Sequence, residues 1–308
     1  MTLYVLGVDS SPNPDAGVGI ARSIRDAFPS CRLVAVDHDE TSSGLHWPQF
    51  DETMIVKDDE SLLRLVGSLG AEDFLLPCVD HDIAALSGLA DVSDRILAPP
   101  TACIHAAIKP ARAVGDNLGL SVPPTIDAND DPARVHAFTA IHRPFVWHKG
   151  YRAGAARLDT LSARDAGLVG LLQAHIEGRM ECCALAAADG MLLDAIWMTK
   201  RTVTDLGKTW SGTVEPCEPE FRKRLASFVK ETGWHGGGTI ETIRDSSGVL
   251  WLIDVNLRFP AWVHGATLCG WNLVATLMAY ATGARQTSPV GLLARAFTRV
   301  VLEIPQLT

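Results

Sequence analysis

Three apolar runs in the first hundred residues, each followed by a segment of helical spacing, constrain the fold more than any other feature. Leu3 to Val8, Arg32 to Val36 and Asp73 to Pro77 read as strands, and Val18 to Phe28, Ser61 to Leu69 and Asp82 to Leu89 read as helices. Strands that alternate with helices predict a parallel sheet covered by helices on both faces. The chain has 308 residues, so this unit takes about a third of it and leaves room for further lobes.

Composition narrows the function. With 47% hydrophobic residues a large core is available, and the 20% charged residues are spread along the chain, which excludes wholesale disorder. The net charge of -9 argues against a nucleic-acid partner, since phosphate binding calls for a basic face. No apolar run approaches the roughly 18 residues of a membrane span. The start, MTLYVLGVD, has no basic region before its apolar stretch and reads as a first strand, not a signal peptide. Seven cysteines at irregular spacing, with no CxxC, predict buried reduced thiols in a cytoplasmic protein.

Beyond residue 100 the pattern changes. Pro99 and Pro100 mark a boundary, and Thr101 to Leu118 reads as a helix kinked or restarted near Pro110. Pro144 to His148 and Leu171 to Ile176 are expected strands. A meander follows, with strands at Cys182 to Ala187, Met191 to Lys200 and Thr209 to Val214, and hairpin turn chemistry at Ala188-Asp189-Gly190. Phe221 to Glu231 and Leu273 to Ala281 are expected helices. Gly238 to Arg244 and Val249 to Val255 form a second hairpin around Asp245-Ser246-Ser247-Gly248.

That second hairpin carries the strongest chemical signal, ETIRDSSGVLWLIDVNLR. Asp254 and Asn256 are two apart, so they share a face of their strand, and the hairpin is expected to bring Glu241 across from them. Two carboxylates and an amide oxygen make a hard-oxygen set suited to Mg²⁺. Arg258, two residues further on, is a fixed cation for a transferring phosphoryl group. Upstream, Lys109 lies in a helix-like segment and Lys149 ends an apolar strand before a small-residue loop, where a lysine can meet phosphates as a point charge. The run LLQAHIEGRMEC offers apolar walls and backbone groups for an adenine ring, and an acid for a ribose.

Taken in order, these features resemble the ATP-grasp superfamily. A small α/β lobe is followed by a lysine ahead of GLSVPPT, a strand-end lysine, the QAHIEG hinge strand and a closing acid–hairpin–acid-x-Asn-x-Arg pattern. The likeness spans roughly residues 3 to 284 and is greatest for the biotin-carboxylase and carbamoyl-phosphate-synthase-like branch, including stand-alone carboxylate–amine ligases. It implies a mixed α+β and α/β fold. A Rossmann-like pre-ATP-grasp lobe is expected over 1–100, a central lid lobe over 101–178 and a C-terminal antiparallel-sheet lobe over 179–308. It also implies that Lys109 and Lys149 contact the ATP phosphates. Gln173, Ala174 and Ile176 line the adenine, and Glu181 holds the ribose. Glu241, Asp254 and Asn256 bind Mg²⁺, with Mn²⁺ as a substitute, and Arg258 with Lys200 or Arg201 steadies the transferred phosphate.

The implied reaction joins a small-molecule or peptide carboxylate to an amine through an acyl-phosphate, with ADP and phosphate released. A homodimer is the assembly considered. Two other uses of the fold remain open: phosphorylation without ligation, and non-catalytic nucleotide binding in a peptide-modification pathway. The sequence departs from the family at Asp254, where Glu is usual, and at Gly150, where proline often follows the lysine. Elsewhere, His142, His148 and His235 read as structural or surface residues, with no ligand spacing around them. Trp262, Trp271, His264 and Gly265 are candidates for a substrate wall. VDHD occurs twice, at Val36 to Asp39 and Val79 to Asp82, where carboxyl ends of strands are expected.

Overall fold

The computed structural model describes residues 1–9, 16–90, 93–108, 111–143, 145–149, 155–159, 169–204, 208–284 and 295–300. In chain order the elements are β1 (Thr2–Leu6), α1 (Gly17–Ala27), β2 (Arg32–Asp37), β3 (Glu52–Ile55), α2 (Asp59–Ser68), β4 (Asp73–Pro77) and α3 (Asp80–Ala90). Next come α4 (Thr101–Ala107), α5 (Arg112–Leu118), β5 (Thr125–Asp127), α6 (Pro132–Ile141), β6 (Phe145–Lys149), β7 (Ala155–Asp159) and β8 (Leu171–Ala174). The last are β9 (Arg179–Ala188), β10 (Met191–Val203), β11 (Thr209–Pro216), α7 (Pro219–Thr232), β12 (Gly236–Arg244), β13 (Leu250–Asn256), α8 (Val263–Leu268), α9 (Leu273–Thr282) and β14 (Ala296–Thr298).

The chain forms two compact units. One holds Met1–His105, Glu181–Ile240 and Val255–Thr308; the other holds Ala106–Met180 and Glu241–Asp254. The segment expected to be an N-terminal lobe and most of the C-terminal segment therefore share one core.

In the first unit β3-β2-β1-β4 make an all-parallel sheet. Its central strands β1 and β2 are almost wholly buried, as apolar strands covered on both faces must be. The edge strand β3, ETMI, is exposed over most of its length, which is why no apolar alternation announces it. The helix α2 starts on a capping box: the Asp58 carboxylate accepts the Ser61 N–H at 2.8 Å and the Ser61 hydroxyl accepts the Asp58 N–H at 3.1 Å.

Distant parts of the sequence close this core. Ser23 on α1 shares a 2.9 Å hydrogen bond with the Thr267 hydroxyl on α8, and its carbonyl accepts the Asn272 side-chain N–H at 2.7 Å. The larger sheet has the order β13-β12-β9-β10-β11-β14. Its glycines at 237 and 238 admit close packing: a Cβ on Gly237 would lie 2.6 Å from the ring of Phe259, itself 1% exposed. A Gly237→Ala change is expected to cost about 1–3 kcal/mol, because a fully buried ring has nowhere to move. A denaturant melt checks it: an unchanged midpoint contradicts this packing.

The second unit contains the antiparallel sheet β5-β8-β6-β7, with Val146, Leu172 and Ala174 packed against Val135 and Phe138 of α6. The expected helix from Thr101 to Leu118 is two helices, α4 and α5, with Ala111 in the left-handed region at φ 46°.

All seven cysteines are buried and free. No helix among the described residues is long and apolar enough to cross a membrane. Burial holds His235 and His264 below the ordinary histidine value of 6.5; a nearby Arg22 charge adds to it at His264, and aspartate partners offset it only in part. The unfolded chain then binds more protons than the folded one at mildly acid pH, so stability rises with pH through this window and is lost below about 6.5. His38, raised above 6.5, works in the opposite sense, while burial lowers His142 and His175 in the same sense as the first two. A lower melting temperature at pH 5.5 than at pH 7.5 is the expected result.

Candidate functional site

The hairpin β12–β13 is held at its tip by one carboxylate. Asp245 accepts the N–H groups of Ser247 and Val249, the Ser247 hydroxyl and the Trp251 indole N–H, the last at 2.7 Å. The Trp251 bond first, then those from Ser247 and Val249, bring its pKa down to about 2. Gly248, at φ +87°, supplies the left-handed turn residue.

The turn also sets the register, since Asp245 N–H bonds the Val249 carbonyl at 3.0 Å. Carried on without a break, that ladder brings Glu241 opposite Ile253, one residue short of Asp254. Leu252 and Val255 are both buried although three apart, so regular alternation fails between them. A one-residue shift there is what Glu241 needs to join the face of Asp254 and Asn256. All three side chains are half-buried. Their donor chemistry, two carboxylates and an amide oxygen, fits a hard divalent cation such as Mg²⁺. Among the described residues no three His, Cys, Asp or Glu side chains gather as a metal site, at this hairpin or elsewhere.

Arg258 follows β13 in the first unit. Its Nε stands 3.5 Å from Asp80 Oδ1 on the first turn of α3, and its side chain is 19% exposed. Arg201 occupies a bulge: Lys200 pairs with Gly212 and Thr202 with Ser211, which leaves Arg201 as the extra residue of β10. A bulge re-aims the side chain it carries. Arg201 is exposed and Lys200 half-buried.

In the second unit β8 lies between β5 and β6, so both its edges are paired. Gln173 is buried and donates to Thr125 Oγ1 at 3.3 Å, and the Ala174 N–H is bonded to the Pro124 carbonyl. The strand expected to line an adenine thus has both edges paired up to Ala174, and the half-buried Ile176 lies beyond it. An aromatic group unforeseen in the sequence flanks this end: His175 packs 4.6 Å from Phe145 and accepts the Trp147 indole N–H at 3.2 Å. Lys149 ends β6 as expected, with its backbone paired to Ala155 and Leu171. Lys109 and Gly150 lie outside the described residues.

Glu181 is 1% exposed, and its Oε2 accepts the Trp197 indole N–H at 3.0 Å. The two VDHD segments meet each other: His38 Nε2 stands 2.7 Å from Asp82 Oδ1, and His38 Nδ1 2.7 Å from the Val56 carbonyl. Asp37, also buried, accepts the N–H groups of Val8, Asp9, His38 and Asp39 and the Ser42 hydroxyl. It is thereby a structural hub at the carboxyl end of β2. Burial raises the Asp82 carboxyl, and the bond and charge of Asp82 outweigh burial to raise His38.

The fold so described is the ATP-grasp fold. Among solved structures the chain is similar to N5-carboxyaminoimidazole ribonucleotide synthetase from Thermus thermophilus, at a TM-score of 0.68 and 14% identity over 93% of this chain and 80% of that one. It is similar to the Aspergillus clavatus N5-carboxyaminoimidazole synthase in complex with ADP and aminoimidazole ribonucleotide, at 0.66 and 12% over 94% and 78%. It is also similar to the biotin carboxylase domain of the Hydrogenobacter thermophilus 2-oxoglutarate carboxylase, in complex with MgADP and bicarbonate, at 0.65 and 17% over 92% and 70%. No family model matches the chain. No curated protein matches it either.

Proposed function

We propose that this chain is an ATP-dependent carboxylate–amine ligase that works through an acyl-phosphate and releases ADP and phosphate. The observation that carries the reading is the acid–hairpin–acid-x-Asn-x-Arg pattern on β12 and β13, set in a fold shared with proteins whose structures hold ADP. Lys109 and Lys149 neutralise the ATP phosphates, and Ile176 with its neighbours Gln173 and Ala174 walls the adenine. Glu181, whose Oε2 accepts the Trp197 indole N–H, serves the ribose. Glu241, Asp254 and Asn256 hold Mg²⁺, which supplies charge neutralisation on the phosphates. Arg258 and Arg201 face the negative charge that builds on the transferring phosphoryl group.

The carboxylate of the first substrate attacks the γ-phosphorus in line with the leaving ADP, and the acyl-phosphate forms. The amine then attacks the acyl carbon, the C–O bond to phosphate breaks, and the departing phosphate takes the amine's proton. Both substrates are small molecules or peptides in this reading. Asp254 is one methylene shorter than the Glu usual in the family and favours a single metal ion.

Calorimetry with ADP tests the nucleotide half of the proposal. Binding in the presence of Mg²⁺ that weakens tenfold or more when EDTA is added is expected, about 1.4 kcal/mol or more. ADP that does not bind, or binds alike with and without Mg²⁺, counts against it.

A further inference from the structure

Cys183 and Cys217 meet inside the first unit with their Sγ atoms 3.9 Å apart. Cys183 lies within β9 and is fully buried; Cys217 follows β11 on the short link into α7 and is 7% exposed. Both are free thiols. Burial pushes the Cys183 thiol up, whereas the hydrogen bond shared with Cys183, helped by the Arg222 charge, brings the Cys217 thiol down. That charge is fixed in place, because Arg222 Nη1 holds Asp194 Oδ1 at 3.1 Å and the Ala195 carbonyl at 3.2 Å. Two thiols in contact, one of them on a link outside the strands, is an arrangement that permits reversible oxidation to a disulfide.

We propose that Cys183 and Cys217 are a modification site, a dithiol that a small hydroperoxide oxidises reversibly to a disulfide. The Cys217 sulfur attacks one peroxide oxygen, the O–O bond breaks, and a sulfenic acid forms as the other oxygen leaves with the thiol's proton. The Cys183 sulfur then attacks the Cys217 sulfur, the S–S bond forms and the S–O bond breaks. The hydroxyl departs as water with the Cys183 proton. Two thiols lose two electrons in total and the peroxide gains them. The sulfurs must close from 3.9 Å to about 2.05 Å, and the movement has to come from Cys217, which lies outside any strand.

The pair adjoins the candidate ribose carboxylate. Glu181 and Cys183 are two apart on β9 and share a face. Trp197, the cross-strand partner of Cys183, donates to Glu181 and packs edge-on against Phe221 of α7 at 5.0 Å. Drawing the β11–α7 link toward β9 therefore strains the Trp197–Glu181 bond and weakens nucleotide binding. That consequence rests on the proposed role of Glu181; the cross-link itself does not.

The test treats the native protein with hydrogen peroxide and maps its peptides without reduction. Expected are a mass lower by two hydrogens, a Cys183–Cys217 linked peptide, reversal by dithiothreitol, and a several-fold loss of ADP affinity that reverses with it. Cys217→Ser abolishes the link and Cys182→Ser keeps it; should Cys217→Ser fail to fold, alkylation of Cys217 in the native protein replaces it and must block the link. A link through Cys182 or another cysteine, sulfinic acid at Cys217 without a link, or a link formed only in urea overturns the proposal. The same link with unchanged ADP affinity overturns the coupling to Glu181 and leaves the dithiol standing. Failure of the reduced protein to bind ADP at all instead counts against the proposed function.

Discussion

Glu241→Gln abolishes turnover. The substitution keeps the shape of the side chain and removes one of the two carboxylates proposed for Mg²⁺, so the charge of the transferring phosphate loses a neutralising partner. Several kcal/mol of stabilisation are at stake, and about 4 kcal/mol corresponds to about a thousandfold in rate. Asn256→Ala falls in the same class with a smaller expected loss, since an amide oxygen carries no net charge. Both side chains are half-buried at the hairpin. Steady-state release of ADP, with a thermal melt alongside, gives the answer. A Glu241→Gln protein that melts like the parent and keeps a tenth or more of its rate contradicts the assignment. In a protein that only binds nucleotide, the same change alters affinity and leaves no turnover to lose.

Arg258→Ala lowers kcat by about a hundredfold to a thousandfold and leaves the KM for ATP nearly unchanged. A cation that meets charge only as it develops acts on the transition state more than on the bound substrate. Asp80 lies 3.5 Å from the Arg258 Nε, and the Thr239 hydroxyl donates to the Arg258 carbonyl at 3.3 Å. An Arg258→Lys protein keeps the charge and loses the planar fork, so it recovers part of the rate. A raised KM with kcat intact instead assigns Arg258 to ordinary substrate binding.

Much of the fold was legible because the sequence patterns are strong where burial is complete. The strands β1, β2 and β4 are apolar throughout, and the meander of β9, β10 and β11 is punctuated by Asp189-Gly190. What was not legible lies where burial is partial or where one residue changes a face. The edge strand β3 is exposed, and α6 spreads its apolar residues around several sides, so neither carries a clear period.

The site illustrates the second difficulty twice. From the hairpin turn, regular pairing puts Glu181 opposite Met198; a bulge between Leu192 and Asp194 shifts it to Thr199. That shift sets Trp197 on the face of Glu181 and Cys183 and buries the acid under an indole. Likewise, the count from the Asp245–Val249 bond leaves Glu241 one residue short of Asp254. A slip of one residue moves every side chain to the other face, and a sequence holds no direct record of it. The spacing of Asp254, Asn256 and Arg258 was legible in the sequence, but the register that sets Glu241 against them was not. The Phe145, Trp147 and His175 group beside the expected adenine strand had no such signal, because it joins β6 to the end of β8 only after the sheet has formed.

The proposed chemistry passes through an acyl-phosphate, and product analysis tests it after incubation with Mg-ATP, a pool of amino acids and small peptides, and hydroxylamine as a trap. ADP, phosphate and a hydroxamate that names the acid are expected. AMP and pyrophosphate with an adduct would contradict it.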